Sequence, residues 1–236
     1  MAEAEPGVAP LETSAGIGAD GFVLSRQGFL VPPTQVWIPA NGPRVPLARE
    51  PDAFDVSDLH VECRQSTSRD GQVIDYFLVG RRQRGDGPVP TLMTGYGTSG
   101  ISLSPGYMSS EAGASYGGTS LKSWFDRGGS LVVPALRGGG EHGAPWHHAG
   151  RREHKQRSYD DFHAVAESLI DSGYTSNAQL GVFGSSAGGL LAGVAGTQRP
   201  DLYGAVVVDT PALDMLLYPE MGIGPNSSTS LATQAT

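Results

Sequence analysis

The segment QLGVFGSSAGGLLAGVAGTQ, residues 179–198, constrains the fold more than any other stretch. A short apolar run, Leu180 to Phe183, passes through Gly184-Ser185-Ser186-Ala187-Gly188 into a run of small residues long enough for a helix. A strand that turns this sharply into a helix needs residues without bulk at the corner, because the two backbones approach closely there. The neighbouring segments continue the alternation. TLMTGYG, SLVVPALRGGG and GAVVVDT read as strands, the last one as a buried strand, and a helix is expected to end near Arg127. In YDDFHAVAESLIDS, residues 159–172, Phe162, Val165, Ala166, Leu169 and Ile170 fall on one helical face. Asp160 and Asp161 are expected in its first turn, where carboxylates suit the positive end of the helix dipole. Strand and helix alternating from Pro90 onward predict an α/β fold built on a mostly parallel sheet.

Before Pro90 the pattern differs. Short apolar runs (GFVLS, TQVWIP, RVPLA) separated by Gly and Pro predict a small antiparallel sheet. Two β-rich runs flank Arg69-Asp70-Gly71, and Asp-Gly is a strong hairpin signal. Residues 1–19, rich in Ala, Glu, Pro and Gly, are expected to be disordered. The net charge of −8, with no basic cluster longer than Arg151-Arg152, argues against a nucleic-acid partner. No apolar run approaches the ~18 residues of a membrane span. The opening MAEAEPGVAPLE has neither the basic nor the apolar part of a secretory signal, so the expectation is a cytoplasmic chain. The single cysteine, Cys63, has no internal disulfide partner.

In a chain with 34 glycines the pattern Gly-x-Ser-x-Gly has little force alone. Its position between a strand and a helix gives it more, because that is the setting of a nucleophile elbow. Ser186 is then the candidate nucleophile, and the backbone N–H of Ala187, opening the helix, the candidate oxyanion donor. Arg137-Gly138-Gly139-Gly140-Glu141 reads as a conformationally demanding structural loop. It matches neither phosphate-cradling spacing, and no cofactor is expected. His142, His147, His148 and His154 cluster in sequence without ligand spacing, so no metal is expected. Trp146 reads as a packing residue.

Several longer blocks carry a resemblance. GYGTSGISLSPGY (95–107), GGSLVVPALRGGGEHGAPWHHAG (128–150), YDDFHAVAESLIDSGYTS (159–176) and GSSAGGLLAGVAGTQRPDLYGAVV (184–207) resemble the prolyl oligopeptidase family of serine peptidases, in which an α/β-hydrolase domain is joined to a β-propeller. Upstream, GFLVPPTQVW and TSRDGQVIDYFLV are similar to the last propeller strands and the first hydrolase hairpin. The resemblance implies a remnant of the last propeller blade over 20–57, a partial catalytic domain over 58–224 whose sheet is incomplete at its C-terminal side, and a divergent tail over 225–236. It implies Ser186 as the nucleophile of a serine-type endopeptidase that cuts short peptides through an acyl-enzyme. Tyr96 becomes the second oxyanion donor beside Ala187. The family commonly carries Gly-Phe where this chain has Thr98-Ser99. The missing aromatic favours, as the alternative, a related esterase or acylaminoacyl-peptidase.

In α/β-hydrolases the order along the chain is Ser, acid, His, yet all six histidines here precede Ser186. Asp209 could stand in as an acid, and Asp214 reads as structural. Neither supplies a base, so the sequence reads as a fragment with at most residual hydrolysis, or an inactive one.

Overall fold

The computed structural model describes residues 8–14, 20–83, 85–107, 120–217 and 220. The divergent tail, 225–236, lies outside them. The chain divides into two compact units. One comprises Met1–Glu62, Val79–Gln83 and Ser104–Arg127, the other Cys63–Leu78, Arg84–Leu103 and Gly128–Thr236.

Four strands, β1 (Val8–Ser14), β2 (Gly21–Gly28), β3 (Val31–Pro39) and β4 (Val45–Arg49), form an antiparallel sheet in that order. β1 falls within the 1–19 segment expected to be disordered, of which 1–7 and 15–19 lie outside the described residues. Composition registers charge and proline but not the open edge of β2, whose backbone groups β1 pairs from Val8↔Gly28 to Ser14↔Val23. Pro10 has no N–H to give the ladder, and it stands where the register shifts, on the edge strand of this sheet. In the same unit Tyr107 is fully buried. Its hydroxyl accepts from the Ala53 N–H at 2.7 Å, and its own N–H donates to Gln27 Oε1 at 3.3 Å.

A second, six-stranded sheet has the order β10-β9-β7-β8-β6-β5. Its strands are β5 (Leu59–Thr67), β6 (Val73–Arg81), β7 (Thr91–Thr94), β8 (Ser130–Pro134), β9 (Leu180–Ser185) and β10 (Ala205–Asp209). β5 and β6 form the expected hairpin around Asp70-Gly71, with Gly71 at φ 86° and Ser68 N–H on Gln72 O at 2.8 Å. The ladders β8–β7, β7–β9 and β9–β10 are all parallel. The described helices are α1 (Ser120–Asp126), α2 (Ala144–Ala149), α3 (Gln156–Asp171) and α4 (Ala187–Gln198). This is the α/β-hydrolase type of sheet preceded by an antiparallel one.

The core of the second unit joins Ile74, Leu78, Met93 and Val132 of the sheet to Phe162, Val165 and Leu169 of α3 and Leu191 of α4. Every residue of β8 is buried, as suits a strand covered on both faces. Two expectations fail here for physical reasons. Helix α3 begins at Gln156, so Asp160 and Asp161 lie beyond its first turn, and Asp161 is fully buried as the partner of an arginine. The valine-rich β10 is exposed along its length, because among the described residues only β9 flanks it. No described helix is long and apolar enough to cross a membrane.

Candidate active site

The turn between β9 and α4 puts Ser186 at φ 58° and ψ −121°. An L-residue there is strained, and such strain persists only where the surroundings impose it. Here they do so with main chain. The Ser186 N–H donates to Asp209 O at 3.1 Å, and its carbonyl accepts from Leu190 N–H at 3.2 Å. A Cβ on Gly184 would fall inside the carbonyl of Gly188, and one on Gly188 would lie 2.7 Å from Gly95 O. The corner closes only with glycine at both positions. Ser186 itself is exposed, while Ala187 is buried. As the first residue of α4, Ala187 has an N–H with no acceptor inside the helix, at the positive end of its dipole.

Tyr96 follows β7, which pairs with β9 from Thr91↔Leu180 to Thr94↔Phe183. That register carries both strands to the same end of the sheet, so Tyr96 and the Ser186 turn meet. A Cβ on Gly188 would sit 3.7 Å from Tyr96 Cδ2. Gly95 before it has no room for a side chain, with Leu136 and Leu191 at 2.8 and 2.9 Å from a built Cβ, and Gly97 after it has φ 60°. Ser186, Ala187 and Tyr96 are therefore brought together.

The remaining candidates are placed differently. Asp209 lies opposite Ser185 in the β9–β10 register, and its Oδ1 accepts from Thr210 Oγ1 at 3.0 Å. Asp214 accepts from the N–H groups of Leu216 and Leu217, which folds its own turn. His147 donates from Nδ1 to Gly138 O at 2.8 Å. His142 faces Asp75 and packs edge-on against Trp146. His163 is buried against the Tyr203 hydroxyl at 3.0 Å, and burial pulls its pKa down. Among the described residues no side chain hydrogen-bonds Ser186 Oγ, and no three His, Cys, Asp or Glu side chains group so as to hold a metal ion.

Sequence reasoning missed the charged frame beneath the site. Arg137 and Asp161 are both buried. The guanidinium donates to Asp161 through Nε (2.9 Å) and Nη2 (2.5 Å), and to Asp70 through Nη1 (2.5 Å) and Nη2 (3.0 Å). Burial alone would lower the Arg137 pKa, but the bonds to Asp161 and Asp70 outweigh it and hold the pKa above its ordinary value. Next along, Gly138 O accepts from Gly100 N–H at 3.0 Å, and Glu141 Oε1 accepts from Leu103 N–H at 3.2 Å. The loop after Tyr96 is thus fastened to the glycine-rich loop.

Two members of this frame carry charge at a cost. Burial pushes the Glu141 carboxyl up to about 7, and its Oε2 has no hydrogen-bond partner among the described residues. Burial also pulls the Lys155 ammonium down to about 8, against the pull of Asp161. The folded state holds the Glu141 proton more tightly than the unfolded chain does, so stability falls as pH rises from 4.5 through about 7. Lys155 acts oppositely. Its penalty is complete below about 8 and disappears as pH rises through 10.5. Both penalties are present between pH 7 and 8. Glu141→Gln is therefore expected to raise stability at pH 8, by up to ~3 kcal/mol, and to leave it unchanged at pH 4. Urea unfolding at the two pH values checks this, and an equal gain at both would contradict it.

Comparison with known proteins fits this geometry. Residues 114–223 match the model of the prolyl oligopeptidase family. An uncharacterized peptidase of Sinorhizobium fredii is 39% identical over 214 residues, which is 90% of this chain and 28% of that protein. A prolyl endopeptidase of Dictyostelium discoideum is 32% identical over 226 residues, 94% of this chain and 29% of that protein. The structure of a post-proline cleaving enzyme from Rickettsia typhi superposes with a TM-score of 0.82 at 33% identity, over 95% of this chain and 31% of that one. The chain spans less than a third of the length of these relatives. Sequence blocks, parallel sheet and serine turn agree, and the chain belongs to the prolyl oligopeptidase family.

Proposed function

We propose that this chain contributes the nucleophile and the oxyanion donors of a serine peptidase that cuts short peptides. The observation that carries the reading is the strained, exposed Ser186 held by main chain at the start of a helix. Strain of this kind is maintained where it presents a group to a reactant. In the proposed reaction Ser186 Oγ attacks the scissile carbonyl carbon and gives up its proton to a base. The carbonyl oxygen becomes an oxyanion held by Ala187 N–H and Tyr96 Oη. Collapse expels the amine, which takes that proton back from the base, and leaves an acyl-enzyme on Ser186, which water then hydrolyses. The base is assigned to no residue in this sequence, since all six histidines precede Ser186 and none of those described hydrogen-bonds it. By itself the chain is expected to retain only residual hydrolysis.

A fluorophosphonate probe tests the reading. The adduct is expected on Ser186, absent in Ser186→Ala, and formed about 100-fold more slowly in Tyr96→Phe, the usual cost of losing one oxyanion donor. Peptide mapping by mass spectrometry reads the site. Labelling elsewhere with Ser186 untouched would overturn it.

One observation favours a second reading. Ser99 is exposed at φ 57° and offers a hydroxyl where the family carries an aromatic ring. An esterase or acylaminoacyl-peptidase with a broader acyl pocket fits that rim, and faster turnover of an alanyl than a prolyl ester would favour it.

A further inference from the structure

Lys155 stands where local rules disfavour it. It occupies the N-cap position of α3, makes no side-chain capping bond, and brings a positive charge to the positive end of a 16-residue helix. A sequence breaks such rules mainly where function requires it. The side chain does not reach for solvent. Nζ donates to Gly97 O at 2.5 Å and to Ser158 Oγ at 3.3 Å, and it lies 5.5 Å from the centre of the Tyr159 ring.

Gly97 is the residue that directs Tyr96. Its φ of 60° fixes how the chain leaves the tyrosine, and its carbonyl is enclosed on several sides. Ser158 Oγ lies 3.3 Å from that oxygen while bonding Arg137 O at 2.5 Å, and Gly138 presses on it so closely that a Cβ there would overlap it. Lys155 supplies the one charged donor to this oxygen among the described residues. On the opposite side, Gly95 is packed against Leu136 and Leu191. The tyrosine thus hangs between a hydrophobic clamp before it and a charged clamp after it.

We infer that Lys155 is a positioning residue for the oxyanion site: by gripping the Gly97 carbonyl it fixes the direction in which Tyr96 presents its hydroxyl. This rests on the proposed roles of Ser186 and Tyr96. Lys155 touches neither substrate nor the reacting atoms, and its effect passes through Tyr96.

A short peptide boronate is the probe, because Ser186 Oγ adds to its trigonal boron, releases a proton to solvent, and leaves a tetrahedral borate oxygen in the oxyanion site. Affinity is measured by calorimetry, with the matching peptide amide as a non-covalent control. Lys155→Met is expected to weaken boronate binding about tenfold while amide binding holds and the melting temperature does not fall, since a costly buried charge is removed and a small misplacement of a donor is felt only by the tetrahedral adduct. In a Tyr96→Phe background Lys155→Met is expected to have no further effect, because both changes remove the same interaction. Lys155→Gln, which keeps an N–H donor, is expected to fall in between, and it serves as the test if Lys155→Met does not fold. An undiminished affinity in these variants, or the same loss with and without the tyrosine hydroxyl, overturns the positioning role alone. If Ser186→Ala binds the boronate as tightly as the unaltered chain, the nucleophile reading falls and the Lys155 role with it.

Discussion

Replacing Arg137 with Met should cost about 3–5 kcal/mol in urea unfolding, because it leaves a carboxylate in the interior without its cation. Asp161 has no exposed surface, and its oxygens accept from Arg137 Nε, Nη2 and backbone N–H as well as from Ser68 Oγ. Methionine fills the stem of the arginine but gives back none of the guanidinium donors. Domains are stable by roughly 5–15 kcal/mol, so this single change takes a large share. Replacing Asp161 with Leu in the same chain should recover much of the loss, since an apolar pair needs no compensation. The exposed pair Lys122–Asp126 is the control. At a similar 2.5 Å separation, Lys122→Met should change stability by less than about 1 kcal/mol. An Arg137→Met cost no larger than that control would show that the interior pair is not what holds these loops.

The second large effect is expected at Gly184. A methyl group there has nowhere to go, because the obstacle is the carbonyl of Gly188, fixed within the first turn of α4. Gly184→Ala should therefore cost on the order of 4 kcal/mol, in the range reserved for changes that break the local structure. It should also remove Ser186 labelling, since the turn must open to admit the methyl. Gly181, three residues earlier in β9, is the matched comparison. A Cβ there meets only ordinary contacts at 3.7–3.9 Å, and Gly181→Ala should stay within about 1 kcal/mol of the parent. Equal effects at the two positions would show that β9 is sensitive throughout and that the Gly184–Gly188 contact is not special.

What the sequence revealed and what it hid follow from the range of the interactions concerned. The strand–turn–helix around Ser186 was legible because it is local, and the amphipathic face of α3 because it repeats along one element. The helix N-terminus was not. Lys155-Gln156 carries none of the usual capping residues, so the periodic face suggested a start near Tyr159 when the helix begins at Gln156. Arg137 was read as part of a structural loop, and its ion pairs were hidden because its partners Asp161 and Asp70 lie 24 and 67 residues away. Tyr96 was reachable only through resemblance. Nothing local marks a tyrosine between two glycines, and its meeting with the Ser186 turn at Gly188 depends on β7 lying beside β9, two strands that are distant in the chain. The exposure of β10 was hidden for the opposite reason. A run of valines signals a strand but does not say whether anything lies against it.

The crowding of backbone against backbone beneath Tyr96 has an evolutionary consequence. Built Cβ atoms on Gly138 and Gly150 would run into Gly97 O and the Arg137 carbonyl, so these segments touch through atoms that every residue type shares. This part of the frame is written in main chain, and the exposed Ser99 side chain at its rim is not part of that fit. Ser99 can therefore change while the backbone around Gly97 keeps its shape. Change at the rim and preservation of the backbone fit act on separate atoms.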